Sequence, residues 1–214
     1  MKRFAEPDAN EALLALIGAL DARDAYRRDH TSRYNQVTFI NRLLNCFKIE
    51  PTLKQHIRNA VLIHDIGMIG ISDDILLKPG RLTAEERVMI EHAPRTAANI
   101  LSLVPSLSME RDMILHQNEC WDGSGYPDKL KGKAIPVGSR FISIAQAIDA
   151  MTHDRAYRRA RPISYCLQEL QSNAGKQFDP TIARAAATQL CKSDGWTDEP
   201  GRHLNALQLA ETGC

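Results

Sequence analysis

Apolar residues recur along this chain at intervals of three and four, and no segment shows the strict alternation of a half-buried strand. Leu13, Leu14, Ile17 and Leu20 make one face of a first helix, and Tyr34, Val37, Ile40, Leu43, Leu44 and Phe47 make the face of a second. The opening turn of that second helix holds His30, Thr31 and Ser32. Pro51 suits the first turn of a third helix, which carries Leu53, Ile57 and Val61 and runs to His64. Thr83 and Glu86 have the spacing of a capping box for a fourth, on which Val88, His92 and Ala97 to Leu101 are expected to face inward. Further helices are expected over about 108–118, 137–153, 163–172 and 181–190. Between the first two of these lies Trp121-Asp122-Gly123-Ser124-Gly125-Tyr126-Pro127, whose glycines and proline are loop chemistry. The pattern predicts an all-α protein with its polar groups at helix ends and in loops.

Composition narrows the class without naming a function. At 214 residues and 43% hydrophobic the chain can bury a full core. A net charge of +1 argues against a broad electrostatic grip on a nucleic acid polymer or an anionic membrane. Five cysteines, an odd number with no Cys-x-x-Cys pair, suit a reduced chain. With no signal-like N-terminus and no stretch of membrane-spanning length, the expected location is cytoplasmic.

Candidate chemistry gathers around Ala60-Val61-Leu62-Ile63-His64-Asp65-Ile66-Gly67-Met68-Ile69-Gly70. Here an apolar helix runs into two glycines with an imidazole and a carboxylate side by side. Neighbours on a helix point about 100° apart, so both reach one ion only where the helix ends and the backbone turns. Imidazole nitrogen and carboxylate oxygen suit a divalent transition metal, and the carboxylate can bridge two. The dipeptide alone is weak evidence, since His153-Asp154 repeats it. Any one histidine is also accounted for by a hydrogen bond in the core or at the surface. His30, His64 with Asp65, His92 and the His116–Glu119 stretch, however, place such groups on four helices, which is how bundles build metal sites.

These residues carry a resemblance. His64-Asp65-Ile66-Gly67, then Ile71 to Thr83, then Trp121 to Pro127, and finally Asp149-Ala150-Met151-Thr152 with Asp154-Arg155-Ala156-Tyr157-Arg158, resemble in order the HD-GYP family. The likeness runs from about Asp21 to Ile182 and implies an HD-domain helical bundle with the HD-GYP-type C-terminal extension. It suggests an N-terminal helix over 1–20, the HD-GYP-like domain over 21–190 and a tail over 191–214, leaving no room for the sensor or receiver domain the family commonly carries. The family's activity is metal-dependent hydrolysis of the bacterial messenger cyclic di-GMP.

Carried over residue by residue, the resemblance makes His30, His64, Asp65 and His92 the metal ligands, with Asp65 shared between two ions at the catalytic centre. Arg155 and Arg158 match basic positions that reach toward the dinucleotide. The loop residues Asp122, Gly123, Gly125, Tyr126 and Pro127 match a motif associated with docking of GGDEF-type proteins, here with Lys129, Lys131 and Lys133 as a basic rim. Elsewhere the pattern fails. Gln117 and Asn118 stand where the family has two histidines, Gln146 where it has its last metal aspartate, and Met68 where it has a lysine. Amides are weak neutral ligands and the second ion suffers most, so at most one weakly held iron, manganese or similar ion is expected. Two functions follow as expectations. The chain is either a catalytically weak or inactive member of cyclic di-GMP signalling that acts by binding ligand or protein, or a phosphohydrolase with an incomplete, mononuclear site.

Overall fold

The computed structural model describes residues 8–24, 31–153 and 159–192. Within them the chain forms α1 (Ala9–Asp24), α2 (Thr31–Leu44), α3 (Pro51–Ile63), a 3₁₀ segment (Ile66–Gly70), α4 (Asp73–Leu76), α5 (Ala84–Glu91), α6 (Ala93–Leu101), α7 (Ser108–Leu115), α8 (Val137–Thr152), α9 (Ile163–Ser172) and α10 (Pro180–Lys192). Among the described residues the only β-type pairing is an isolated bridge between Ala174 and Phe178, so the all-α expectation holds.

Helices α2, α3, α8 and α10 enclose the core. Ile40 and Leu43 on α2, Ile57 and Val61 on α3 and Phe141 and Ile144 on α8 are fully buried. Each contributes on the order of 1.5–3 kcal/mol by leaving water. Phe47, just past α2, meets Phe141 edge to face with ring centroids 5.5 Å apart. The first helix buries Leu13 and Leu20 as its pattern requires, but Leu14 is 69% exposed.

The segment expected as a fourth helix is two. The Thr83 capping box is present, with Thr83 Oγ1 accepting from Glu86 N and Thr83 N donating to the Glu86 carboxylate. Helix α5 nonetheless buries none of its residues; Val88 is 52% exposed and His92 is exposed, so neither faces inward. The chain breaks at His92 because Pro94 has no N–H to continue the ladder and instead fits the first turn of a new helix. Helix α6 then buries Ala93, Ala97 and Leu101.

Two contacts fix the 3₁₀ segment that carries the chain away from His64 and Asp65. A Cβ on Gly67 would lie 1.9 Å from the Ala93 carbonyl oxygen, so only glycine lets this segment sit against α6. From the other side Arg23 on α1 donates to the Ile69 carbonyl at 2.7 Å and to that of Ile71.

Candidate functional site

Helix α3 ends at His64, and its buried apolar face carries that imidazole to the protein's centre with only 5% of its surface exposed. Nδ1 lies 2.8 Å from the Val61 carbonyl and donates to it, which turns Nε2 outward. The backbone then leaves the helix at Asp65 (φ −87, ψ 3) and brings Asp65 Oδ2 to 3.3 Å from His64 Nε2. That separation equals the spacing of two neighbouring ligands around one ion with bonds of about 2.1 Å. A histidine oriented through its other nitrogen by a backbone carbonyl is also the usual support of a metal ligand. These two residues fit one divalent ion.

Two of the remaining positions, Gln117 and Gln146, bond to the His64 backbone and to each other. Gln117, 4% exposed at the end of α7, donates from Nε2 to the His64 carbonyl oxygen at 3.1 Å. Gln146 on α8 donates from Nε2 to Gln117 Oε1 at 3.0 Å. The two amides thereby join α8, α7 and the end of α3 in one hydrogen-bonded chain. His92 sits exposed at the α5–α6 junction, and among the described residues no three His, Cys, Asp or Glu side chains lie close enough together to hold an ion. His30, Arg155 and Arg158 lie outside the described residues.

Two groups that sequence left open are committed to the loop. His116 has Nδ1 2.9 Å from the Asp112 carbonyl and Nε2 3.1 Å from Asp128 Oδ2, which leaves no nitrogen for a metal. Glu119, 3% exposed, accepts from Asp128 N at 2.7 Å and from Leu130 N at 3.1 Å. It clamps the far end of the 121–127 loop. The near end is tied to the turn between α9 and α10, with Trp121 N donating to the Gln177 carbonyl at 3.1 Å and Asp122 N to that of Lys176 at 2.8 Å. Gly125 passes so close to residues 118–120 that a Cβ would meet the Asn118 oxygen at 2.5 Å, and Gly123 holds a positive φ of 87. Asp122 accepts from the hydroxyl and the N–H of Ser124, which holds its carboxyl below the usual value.

The loop and the amide chain line a cleft of about 360 Å³. Tyr126 forms part of its wall and is half-buried. Burial raises the Tyr126 phenol and, chiefly by the same cause, the Cys120 thiol, so both stay neutral near pH 7. Lys129, Lys131 and Lys133 are exposed on the loop's outer side. The family resemblance singled out Gln117 and Gln146 as departures from its metal-binding pattern, but it carries no signal that they would bond to each other.

Comparison with known proteins adds to this geometry. The HD domain family matches residues 24–182. A cyclic di-GMP phosphodiesterase of Thermotoga maritima is 34% identical over 177 residues, 82% of this chain and 48% of the relative. A 3′3′-cGAMP-specific phosphodiesterase of Vibrio cholerae is 30% identical over 176 residues, 81% of this chain and 33% of the relative. The chain thus spans about half or less of the length of these relatives. Among solved structures, a cyclic GMP-AMP specific phosphodiesterase of V. cholerae superposes with a TM-score of 0.61 at 19% identity, covering 87% of this chain and 49% of the other. An HDG"Y"P protein of Bdellovibrio bacteriovorus gives 0.62 at 14% identity, covering 86% and 61%. At these identities the two structures speak for the fold alone.

Proposed function

The chain belongs to the HD domain family, in its HD-GYP branch, and from that premise we propose that it is a cyclic dinucleotide signalling module that binds nucleotide or protein with hydrolysis lost or strongly reduced. The Gln146–Gln117–His64 hydrogen-bonded chain carries this reading. In relatives of this kind a metal-held hydroxide attacks a phosphate bound to the ions, and here one position from each ion's ligand set, Gln146 from the first and Gln117 from the second, engage each other instead. Met68 also supplies no charge to a phosphate where the family has a lysine. Relatives named for cyclic di-GMP and for 3′3′-cGAMP make a guanine-containing cyclic dinucleotide the natural ligand to test. The lysine rim beside the loop is the surface for an acidic protein partner.

A second reading rests on the 3.3 Å pairing of His64 Nε2 with Asp65 Oδ2. A divalent ion bound there would supply Lewis acidity toward a phosphoester oxygen. His64 would bind through Nε2 with its ring held by Val61, and Asp65 would bring the one negative charge.

The deciding experiment offers cyclic di-GMP and 3′3′-cGAMP to protein supplied with manganese or ferrous iron. Hydrolysis absent or far below about 1 per second, an ordinary enzyme rate, is expected. Turnover at that rate overturns the first reading, and its loss in Asp65→Asn would then assign the reaction to the second.

A further inference from the structure

A second cavity of about 290 Å³ adjoins the cleft and shares Ala147 and Gln177 with it. Together they follow one face of α8, because Ser143, Gln146, Ala147, Ala150 and Met151 recur at helical spacing along both. Each is near the lower end of the range for small-molecule sites, with room for one base-sized group and not for a whole dinucleotide. The cleft lies against the amide chain. The second cavity has different chemistry and no part in the family's metal site.

Its floor is apolar, formed by Ala147, Ala150, Met151 and Phe178. Its other wall comes from Tyr165 and Glu169, one helical turn apart on α9, and from Arg161, two residues before that helix begins. The Arg161 guanidinium lies over the Tyr165 ring, 5.3 Å from its centroid, and Arg161 N donates to the Met151 carbonyl at 2.7 Å, which seats the residue against the end of α8. Tyr165 is 38% exposed, an aromatic surface that the core does not use. Asn173 Nδ2 donates to Glu169 Oε2 at 2.9 Å and holds the carboxylate in place at the cavity wall.

A stacked guanidinium and phenol beside an apolar floor suits a planar heteroaromatic ring. A carboxylate at the ring's edge selects which one. Guanine presents two adjacent donors, N1–H and the 2-amino group, that match the two carboxylate oxygens, whereas adenine presents an acceptor and a donor there. We propose that the cavity between α8 and α9 is a guanine-binding site, with Glu169 reading the N1–H and 2-amino edge and Arg161 with Tyr165 as the stacking platform. It rests on the cyclic dinucleotide reading for the rest of the ligand, which would extend along α8 toward Gln146.

Isothermal titration of the whole chain with 5′-GMP, 5′-IMP and 5′-AMP tests this without altering the protein. IMP lacks only the 2-amino group. Binding of GMP at least tenfold tighter than of either is expected, with a tenfold or greater loss of GMP affinity in Glu169→Gln. Equal affinities for the three, or GMP binding unchanged in Glu169→Gln, overturn the site. Titration with cyclic di-GMP separates this inference from the reading it rests on. Cyclic di-GMP binding indifferent to Glu169→Gln and to Tyr165→Ala sinks the guanine site and leaves the signalling role. Selective GMP binding without cyclic di-GMP binding keeps the site and sinks the role, and no binding by any of them sinks both.

Discussion

Gln117 holds two partners at once, giving its N–H to the His64 carbonyl and taking the Gln146 N–H on its oxygen. Replacing it by leucine keeps the volume but leaves the His64 carbonyl and the Gln146 amide without this partner. An orphaned buried group costs about 1–3 kcal/mol, and Gln146 is only half-buried, so Gln117→Leu should lose about 2 kcal/mol in urea unfolding. A loss under about 0.5 kcal/mol would show that the amide chain does not brace the centre. The identity of these residues was legible in the sequence as a departure from a metal-binding pattern, but what they do was not. Helical spacing says which face a side chain occupies, while a hydrogen bond between residues 29 positions apart depends on how three helices meet.

The pieces around the site differ in how firmly they are held. Gly67 meets the Ala93 carbonyl, a backbone atom that cannot swing away, so Gly67→Ala must push the 3₁₀ segment off α6. Overpacking of this kind costs about 1–3 kcal/mol, and the upper end is expected here, read as a lower midpoint in a thermal melt. Helix α5 is the opposite case, since its buried contacts are few and its cap carries it. The Glu86 carboxyl is held below its ordinary value first by the Lys78 ammonium, at 2.7 Å from Oε2, and then by the Thr83 N–H. A depressed folded-state value means that this contribution is fully present above the ordinary value of 4.5 and fades as the pH falls below it. Amide exchange should therefore quicken in α5 relative to α8 when the pH drops from about 6 to 3, after correction for the intrinsic rate. Equal acceleration in both helices would contradict it. The start of α5 was readable from Thr83 and Glu86 because capping is local. Its end at His92 was missed because the apolar spacing from Val88 to Leu101 runs on past Pro94, and only the proline marks the break.

For the molecule as a whole, hydrogen bonds between side-chain amides and the backbone tie the helices together near His64. The ends of α3 and α7 and the middle of α8 are joined by amides beside His64 and Asp65, and among the described residues no three His, Cys, Asp or Glu side chains gather around an ion site. Ligands that bind only the folded state raise its stability in proportion to the logarithm of their excess over Kd. A chelator should therefore move the melting midpoint by less than about 1 °C, and 1 mM manganese should raise it by no more than about 2 °C. A fall of 5 °C or more on chelation would mean that a tightly held ion is part of the fold. The all-α architecture was readable at this scale because the helical period runs through nearly every segment. The loop's attachments were not, since Glu119, Trp121 and Asp122 reach partners through backbone groups that leave no mark in composition.

The amide chain also bears on how such a site could change over generations. If Gln146 alone became aspartate, a carboxylate would face Gln117 Oε1, oxygen against oxygen, and turning that amide would only move the clash to the His64 carbonyl. If Gln117 alone became histidine, Gln146 would lose its acceptor and no aspartate would yet stand opposite. A change at either glutamine alone thus disturbs a hydrogen bond that the present pair keeps. The two glutamines are therefore coupled: what one position tolerates depends on the residue at the other, 29 positions away.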